Sequence, residues 1–397
     1  MKRKGLLCSV LALFAFGISL PLGAEMIYRF DPTVELLLMH DGDVFSSGFE
    51  EELSDEVGVV RAELPLTGQS ERTTWALSYA PEAEFYSSYS DLNTLNHRAQ
   101  ASLNHVLGRR SAIELGGAYL DTTDAYSDLL EDEIITSRTS RQLVLGNALY
   151  SIGVNERTDF SFRYNFRDMA YDDPLLTGYT SHEAGIAGDV ATSPRTTLGL
   201  DYAYQYFEYP ERGDYGTHNV LARFNARPSE VDSLTLAGGV FIQDYQADPS
   251  AGGDEADGDD TGFIGSIEWG REGRRISFGA GLTRQVRPSG GIGSSVLSHS
   301  ARLTFGATLG PRTSLSLSGL LQRSEPTIDD ESGDVDTART SASLDWAVAS
   351  RVGLRFFVDY LYQQYESGTQ RDLSYPRAGV SVVLRLSPRQ GAQPAGS

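Results

Sequence analysis

Apolar and polar residues alternate with a period of two along almost the whole chain. Leu198, Leu200, Tyr202, Tyr204 and Tyr206 alternate with Gly199, Asp201, Ala203 and Gln205. Phe160, Phe162, Tyr164 and Phe166 alternate with Asp159, Ser161, Arg163, Asn165 and Arg167. Leu354, Phe356, Val358, Tyr360 and Tyr362 alternate with Arg355, Phe357, Asp359 and Leu361. Successive side chains on a strand point to opposite faces. Each run therefore predicts a strand with one apolar and one polar face. The runs last about nine to thirteen residues, whereas strands of soluble proteins average about five or six and membrane-crossing strands need about nine to eleven. Tyr119, Tyr150, Tyr206, Tyr209, Trp269, Trp346, Tyr362 and Tyr365 sit near the ends of these runs, the placement of an interfacial aromatic girdle. The pattern predicts an all-β transmembrane antiparallel up-and-down β-barrel.

The connections between runs alternate between short and long. The short ones each carry an arginine: 67–72, 108–111, 154–157, 192–196, 227–232, 270–274, 310–313 and 349–352. The long ones are mostly acidic: 41–56, 87–95, 121–136, 168–179, 209–216, 248–260, 288–295, 326–336 and 366–374. Eight short turns between nine long loops give eighteen strands, with sixteen as the alternative count. An even count places both termini at the short-turn end, which in outer-membrane barrels is periplasmic, with the long loops extracellular. Two turns are near copies, Ser193-Pro-Arg-Thr-Thr-Leu-Gly-Leu200 and Gly310-Pro-Arg-Thr-Ser-Leu-Ser-Leu317. Proline presets φ for such a turn, and the repeating unit is one hairpin of about forty residues.

Residues 1–24 read as a secretory signal peptide: Lys2, Arg3 and Lys4, then an apolar stretch from Leu6 to Leu20, then Gly23-Ala24. Residues 25–386 form a single barrel domain and 387–397 a polar tail without a terminal aromatic residue. Cys8 is the only cysteine and lies in the signal segment, so no disulfide staples the barrel. The net charge of −21 on 397 residues, with no basic stripe, speaks against nucleic acid as a partner.

Parity along the strands selects the lumen-facing candidates. They are Arg61, Glu63, Arg98, Arg163, Arg167, Asp201, Arg223, Glu268, Arg302, Arg339, Asp345, Arg355, Asp359, Arg377 and Arg385. Eighteen strands enclose an aqueous lumen. The excess of arginine supports two readings: a cationic wall that favours anions, or arginine–carboxylate pairs that hold the wall together. No catalytic constellation stands out. His40-Asp-Gly-Asp43 is the nearest approach to an imidazole–carboxylate pair, without a nucleophile at diagnostic spacing. The acidic run Gly253 to Asp260 offers oxygens to Ca²⁺ but not in EF-hand register, and reads as a solvated loop. No cofactor or metal is expected.

Tyr79-Ala-Pro81, Tyr86, Tyr89, Ser90-Asp-Leu-Asn93 and Asn96-His97 resemble the Tyr-x-Pro, Ser-Asp-Leu-Asn and Asn-His pattern of a β-barrel porin family of the bacterial outer membrane. Members of that family are often associated with exopolysaccharide systems. The resemblance implies polysaccharide passage to the cell surface, with a periplasmic polysaccharide-export protein as partner; a general diffusion porin for small solutes is the alternative. Outer-membrane lipid and lipopolysaccharide, and the outer-membrane assembly machinery, are the further partners expected of such a barrel.

Overall fold

The alternation persists as strands because each residue then places one side chain outward and the next inward while its backbone pairs laterally. The computed structural model describes residues 26–44, 53–124, 134, 138–174, 176–210, 213–247, 258–290, 294–327, 333–366 and 372–386. The signal segment, the polar tail and most of the acidic run from Gly253 lie outside the described residues.

In chain order the strands are β1 (Ile27–Phe30), β2 (Thr33–Asp41), β3 (Asp55–Gln69), β4 (Thr73–Tyr86), β5 (Thr94–Gly108), β6 (Ser111–Thr122), β7 (Arg141–Gly153), β8 (Thr158–Tyr171), β9 (Tyr179–Ser193) and β10 (Thr196–Tyr209). They continue as β11 (Gly213–Ala226), β12 (Asp232–Ala247), β13 (Gly258–Glu272), β14 (Ile276–Ser289), β15 (Ser294–Gly310), β16 (Thr313–Pro326), β17 (Val335–Ala347), β18 (Val352–Tyr365) and β19 (Leu373–Arg385). From β2 onward each pairs antiparallel with its sequence neighbour, β1 pairs with β3, and β19 closes on β2 from Arg377↔Asp41 to Arg385↔Thr33.

β1 and β2 are two pieces of one wall strand. Phe30↔Leu66 and Thr33↔Glu63 continue a single register on β3. The interruption falls at Asp31-Pro32, where proline has no N–H to give the ladder. The Pro32 carbonyl still accepts the Leu386 N–H at 3.0 Å. The wall is thus a closed antiparallel barrel of eighteen strands, and the count of sixteen is not realised.

The short turns fall where the arginines do. Their backbone carbonyls close the last rung of the neighbouring ladder: Val106 donates its N–H to Arg72, Gly153 to Arg110, Ala191 to Arg157, Arg227 to Arg195, Thr308 to Arg275, Ala347 to Arg312 and Arg385 to Arg351, each at 2.7–2.8 Å. In three turns the guanidinium also reaches the next turn. Arg110 donates to the Val154 carbonyl at 3.3 Å, Arg195 to Pro228 at 3.4 Å and Arg312 to Val348 at 3.5 Å. The two Pro-Arg-Thr copies therefore do the same job, tying one inner turn to the next.

One expected long loop is short. β10 runs to Tyr209 and β11 resumes at Gly213, so the connection is only 210–212. Gly213 has φ of 130°, a backbone conformation that glycine accepts without a Cβ clash. Tyr209, Tyr215 and Tyr245 stack inward there, with ring centroids 5.6 and 4.8 Å apart, and this buried packing extends the strands beyond the predicted loop boundary.

The outward face is apolar, with Leu200 67% and Phe263 76% exposed. Near its long-loop end it carries three tyrosine–histidine pairs in one diagonal relation. Tyr79 bonds His97 at 2.9 Å, Tyr164 bonds His182 at 2.7 Å and Tyr202 bonds His218 at 2.9 Å. These rings form part of a polar aromatic girdle toward the long-loop end. Tyr209 and Tyr365, read as girdle residues from their position at strand ends, are instead buried inside, because their parity is that of the inner face.

A cation on the outward face tests this assignment. Leu200→Arg is expected to lower refolding stability in lipid vesicles by about 2–4 kcal/mol. Ala203→Arg, three residues further along β10 and on its inward face, is the contrasting case and should not carry that lipid-transfer cost. Urea titration of heat-modifiable gel mobility measures both.

Candidate pore lining and constriction

The ladder registers place all fifteen sequence-selected residues on the face opposite the exposed apolar side chains. Asp201, for example, lies between outward Leu200 and Tyr202, and Arg355 and Asp359 flank outward Phe356 and Val358. Parity was sufficient for this, since strand side chains have no third direction.

The structure gathers these residues into networks. On β8–β11, Arg163 clamps Asp201 with two parallel bonds of 2.7 Å and gives its Nε–H to Glu183 at 2.9 Å. Arg223 lies 3.0 Å from Asp189 and 3.8 Å from Asp201. On β17–β19, Arg355 meets Asp345 at 2.7 Å, and Arg377 spans Asp124 at 2.8 Å and Asp359 at 3.4 Å. On β2–β4, Arg61 joins Glu35 at 3.2 Å and Glu82. The Arg167 guanidinium lies over the Tyr179 ring, 5.9 Å from its centroid. Thr33 donates to Glu63 at 3.4 Å. Arg98, Glu268, Arg302, Arg339 and Arg385 share the same inward face.

The arginine excess is therefore largely met by carboxylates that the lumen list left out: Glu35, Glu82, Asp124, Glu183 and Asp189. Glu35, Glu82, Glu183 and Asp189 have inward parity on their strands. Asp124 sits beyond the end of β6, where no periodicity applies. The same holds for Arg138, which lies nearly buried between elements. It donates to Tyr86 Oη at 2.5 Å, to Glu84 at 3.3 Å and to the Val44 carbonyl at 3.1 Å.

The pairing of His40 with Asp41 or Asp43 is not formed. His40 points outward to Glu56, 3.0 Å away, while Asp41 and Asp43 are buried on the other side. Adjacent strand positions cannot share a face. Among the described residues, no group of three or more His, Cys, Asp or Glu is arranged to hold a metal ion.

The feature that sequence gave no sign of is a hairpin turned into the lumen. The β13–β14 ladder runs only from Gly265↔Arg284 to Glu272↔Ser277. Beyond it β14 leaves the wall, still paired with β15 as far as Ser289↔Ser294. Its end crosses the inside of β8–β12. The Ser289 N–H donates to Tyr209 Oη at 3.0 Å, and the Tyr209 hydroxyl donates to the Ser294 carbonyl at 2.8 Å. Gln243 donates to Ser295 Oγ at 2.9 Å. A Cβ at Gly290 would lie 2.2 Å from Tyr171 Oη, so any larger residue there would displace the Tyr171 ring. Val286 joins a buried cluster with Phe207, Phe241, Tyr245 and Ile264. Val296 is buried with Ile134, Val335 and Tyr365. The long-loop half of the lumen is narrowed by this packing.

No family model matches the sequence, and no curated protein matches it. Among solved structures, the chain is similar to OccK3 (OpdO) of Pseudomonas aeruginosa at 13% identity, over 90% of this chain and 96% of that one, with a TM-score of 0.45. It is similar to OccAB4 of Acinetobacter baumannii at 10% identity, over 92% and 99%, with a TM-score of 0.47. OccK2 (OpdF) of Pseudomonas aeruginosa gives 12% identity, 91% and 98% coverage and a TM-score of 0.47. At these identities no solute or partner transfers to this chain. The exopolysaccharide association implied by residues 79–97 gains no support from them.

Two outcomes follow from the geometry. Tyr209→Ala removes two of the bonds that hold the hairpin end and should raise single-channel conductance severalfold, as loss of about 1–3 kcal/mol of anchoring would. Asp201→Asn leaves Arg163 and Arg223 short of a counter-charge and should move the reversal potential toward anion preference; Arg163→Gln should move it the other way.

Proposed function

We propose that the chain is an outer-membrane channel for diffusion of small solutes. The observation that carries this is the pairing of an apolar outward face with an inward face of arginine–carboxylate networks around a closed eighteen-strand wall. Eighteen strands leave more interior than side chains fill. Charged groups facing lipid are costly at the bilayer midplane, whereas charged groups facing a lumen tune what passes.

Passage of polysaccharide, the cargo implied by the sequence resemblance, is the less economical reading. A hairpin and two buried clusters occupy part of the long-loop half, which suits small solutes better than a polymer chain. Nothing in the networks calls for a periplasmic export partner. The short-turn end, with both ends of the described chain, faces the periplasm in this reading, and the acidic loops face the exterior. Lipid, lipopolysaccharide and the assembly machinery are the partners of such a barrel. No catalytic role is proposed.

Because Arg61, Arg163, Arg223, Arg355 and Arg377 are each held by carboxylates, the wild-type channel should discriminate weakly by charge. Planar-bilayer recording of the refolded barrel tests this. A stable conductance with a reversal potential near zero in a salt gradient is expected. A barrel that stays silent both as wild type and as Tyr209→Ala would overturn the channel.

A further inference from the structure

Where β14 leaves the wall, the outward surface is dented. The dent is a cavity of about 870 Å³ between β13 and β17, within the range of small-ligand sites. Its floor is one cross-strand row in register, Leu282↔Ala301, Ala301↔Leu321 and Leu321↔Ala338. The two alanines make room, and Phe263 and Ile267 border it on β13. The next row toward the long loops is charged: Arg284↔His299, His299↔Arg323 and Arg323↔Asp336. An apolar floor under a polar row is the order met on passing from acyl chains to headgroups.

Two features of the rim lack a partner among the described residues. Arg323 is held by Glu325, Asp334, Asp336 and Glu366, and His299 lies 3.8 Å from Glu325. Arg284, by contrast, is exposed and makes no hydrogen bond or ion pair among the described residues. It borders the same cavity as Phe263 and Leu282, on the side that meets lipid. The second feature is the edge of β13. Residues 258–264 have no β14 partner, and Phe263 and Ile264 at the end of this unpaired stretch border the dent. Unsatisfied backbone groups are not tolerated against hydrocarbon. A cation and a free strand edge above an apolar floor call for an occupant with an anionic, hydrogen-bonding head and an acyl tail.

We propose that this dent binds one phosphate-headed amphiphile of the outer leaflet. Its phosphate sits at Arg284 and the β13 edge, and its acyl part lies along Leu282, Ala301, Leu321 and Ala338. The assignment rests on the reading of the strands as membrane-spanning. Phosphorylated glycolipid and anionic phospholipid share this chemistry.

Native mass spectrometry of the purified full chain, incubated with lipid A, phosphatidylglycerol or phosphatidylcholine, tests it. One bound lipid A or phosphatidylglycerol per barrel is expected, and which one is retained names the source. Phosphatidylcholine should not be retained. Arg284→Gln should cut retention about tenfold, the loss of one charge-assisted bond. Ala301→Trp fills the floor and should exclude the lipid while leaving Arg284 in place. Equal retention of phosphatidylcholine, or retention indifferent to both substitutions, overturns the site. Conductance of the same preparations reports on the channel separately: lipid retention lost with conductance intact supports the dent as a distinct site.

Discussion

The structure depends on one constraint: a backbone group facing hydrocarbon must find its hydrogen-bond partner within the protein. For strands, only a ladder that closes on itself meets it, because an open edge leaves a row of bare N–H and C=O groups. Closure here is made by β19 on β2. The local costs of closure are visible at both ends of the strands. At the short-turn end the arginine carbonyls take up the last rung of each neighbouring ladder. At the start of the wall, Pro32 breaks a strand in two, yet its carbonyl still serves the last strand. Proline is tolerated there because only a donor is lost, and the registers on either side of it agree.

The same constraint gives meaning to the one place where the ladder stops. β13 and β14 are zipped through the short-turn half and part above Gly265↔Arg284. The β14–β15 hairpin exchanges its wall partner for Tyr209, Gln243 and the aromatic cluster inside. That exchange narrows the lumen and dents the outside together. The constriction and the lipid-facing groove are thus two faces of a single backbone departure.

Inside, charge is balanced locally more than globally. Arg163 between Asp201 and Glu183, and Arg377 between Asp124 and Asp359, each join different strands. A bidentate arginine–carboxylate pair holds geometry as well as charge. Such pairs brace the wall and also line the path. The acidic excess of the chain is spread to the long loops, and the lumen itself is a mosaic.

Period-two alternation and turn chemistry alone determined the barrel, its eighteen strands, the end at which the short turns lie, and the inward parity of residues such as Arg163 and Asp201. Those properties are local: a strand has two faces, and proline and arginine mark turns wherever they recur. Sequence also misjudged some ends. Tyr209 and Tyr365 looked like girdle residues, since position at a strand end is visible but the packing that buries a ring is not. The partners of the arginines, the reach of Arg138 from beyond its strand, and the inward turn of β14–β15 were decided only by tertiary structure. Each depends on which residues lie opposite one another across a closed wall. Gln285 to Ser289 carry no local mark that they pack against Tyr209 rather than β13, because the choice is made by contacts some eighty residues away in the chain.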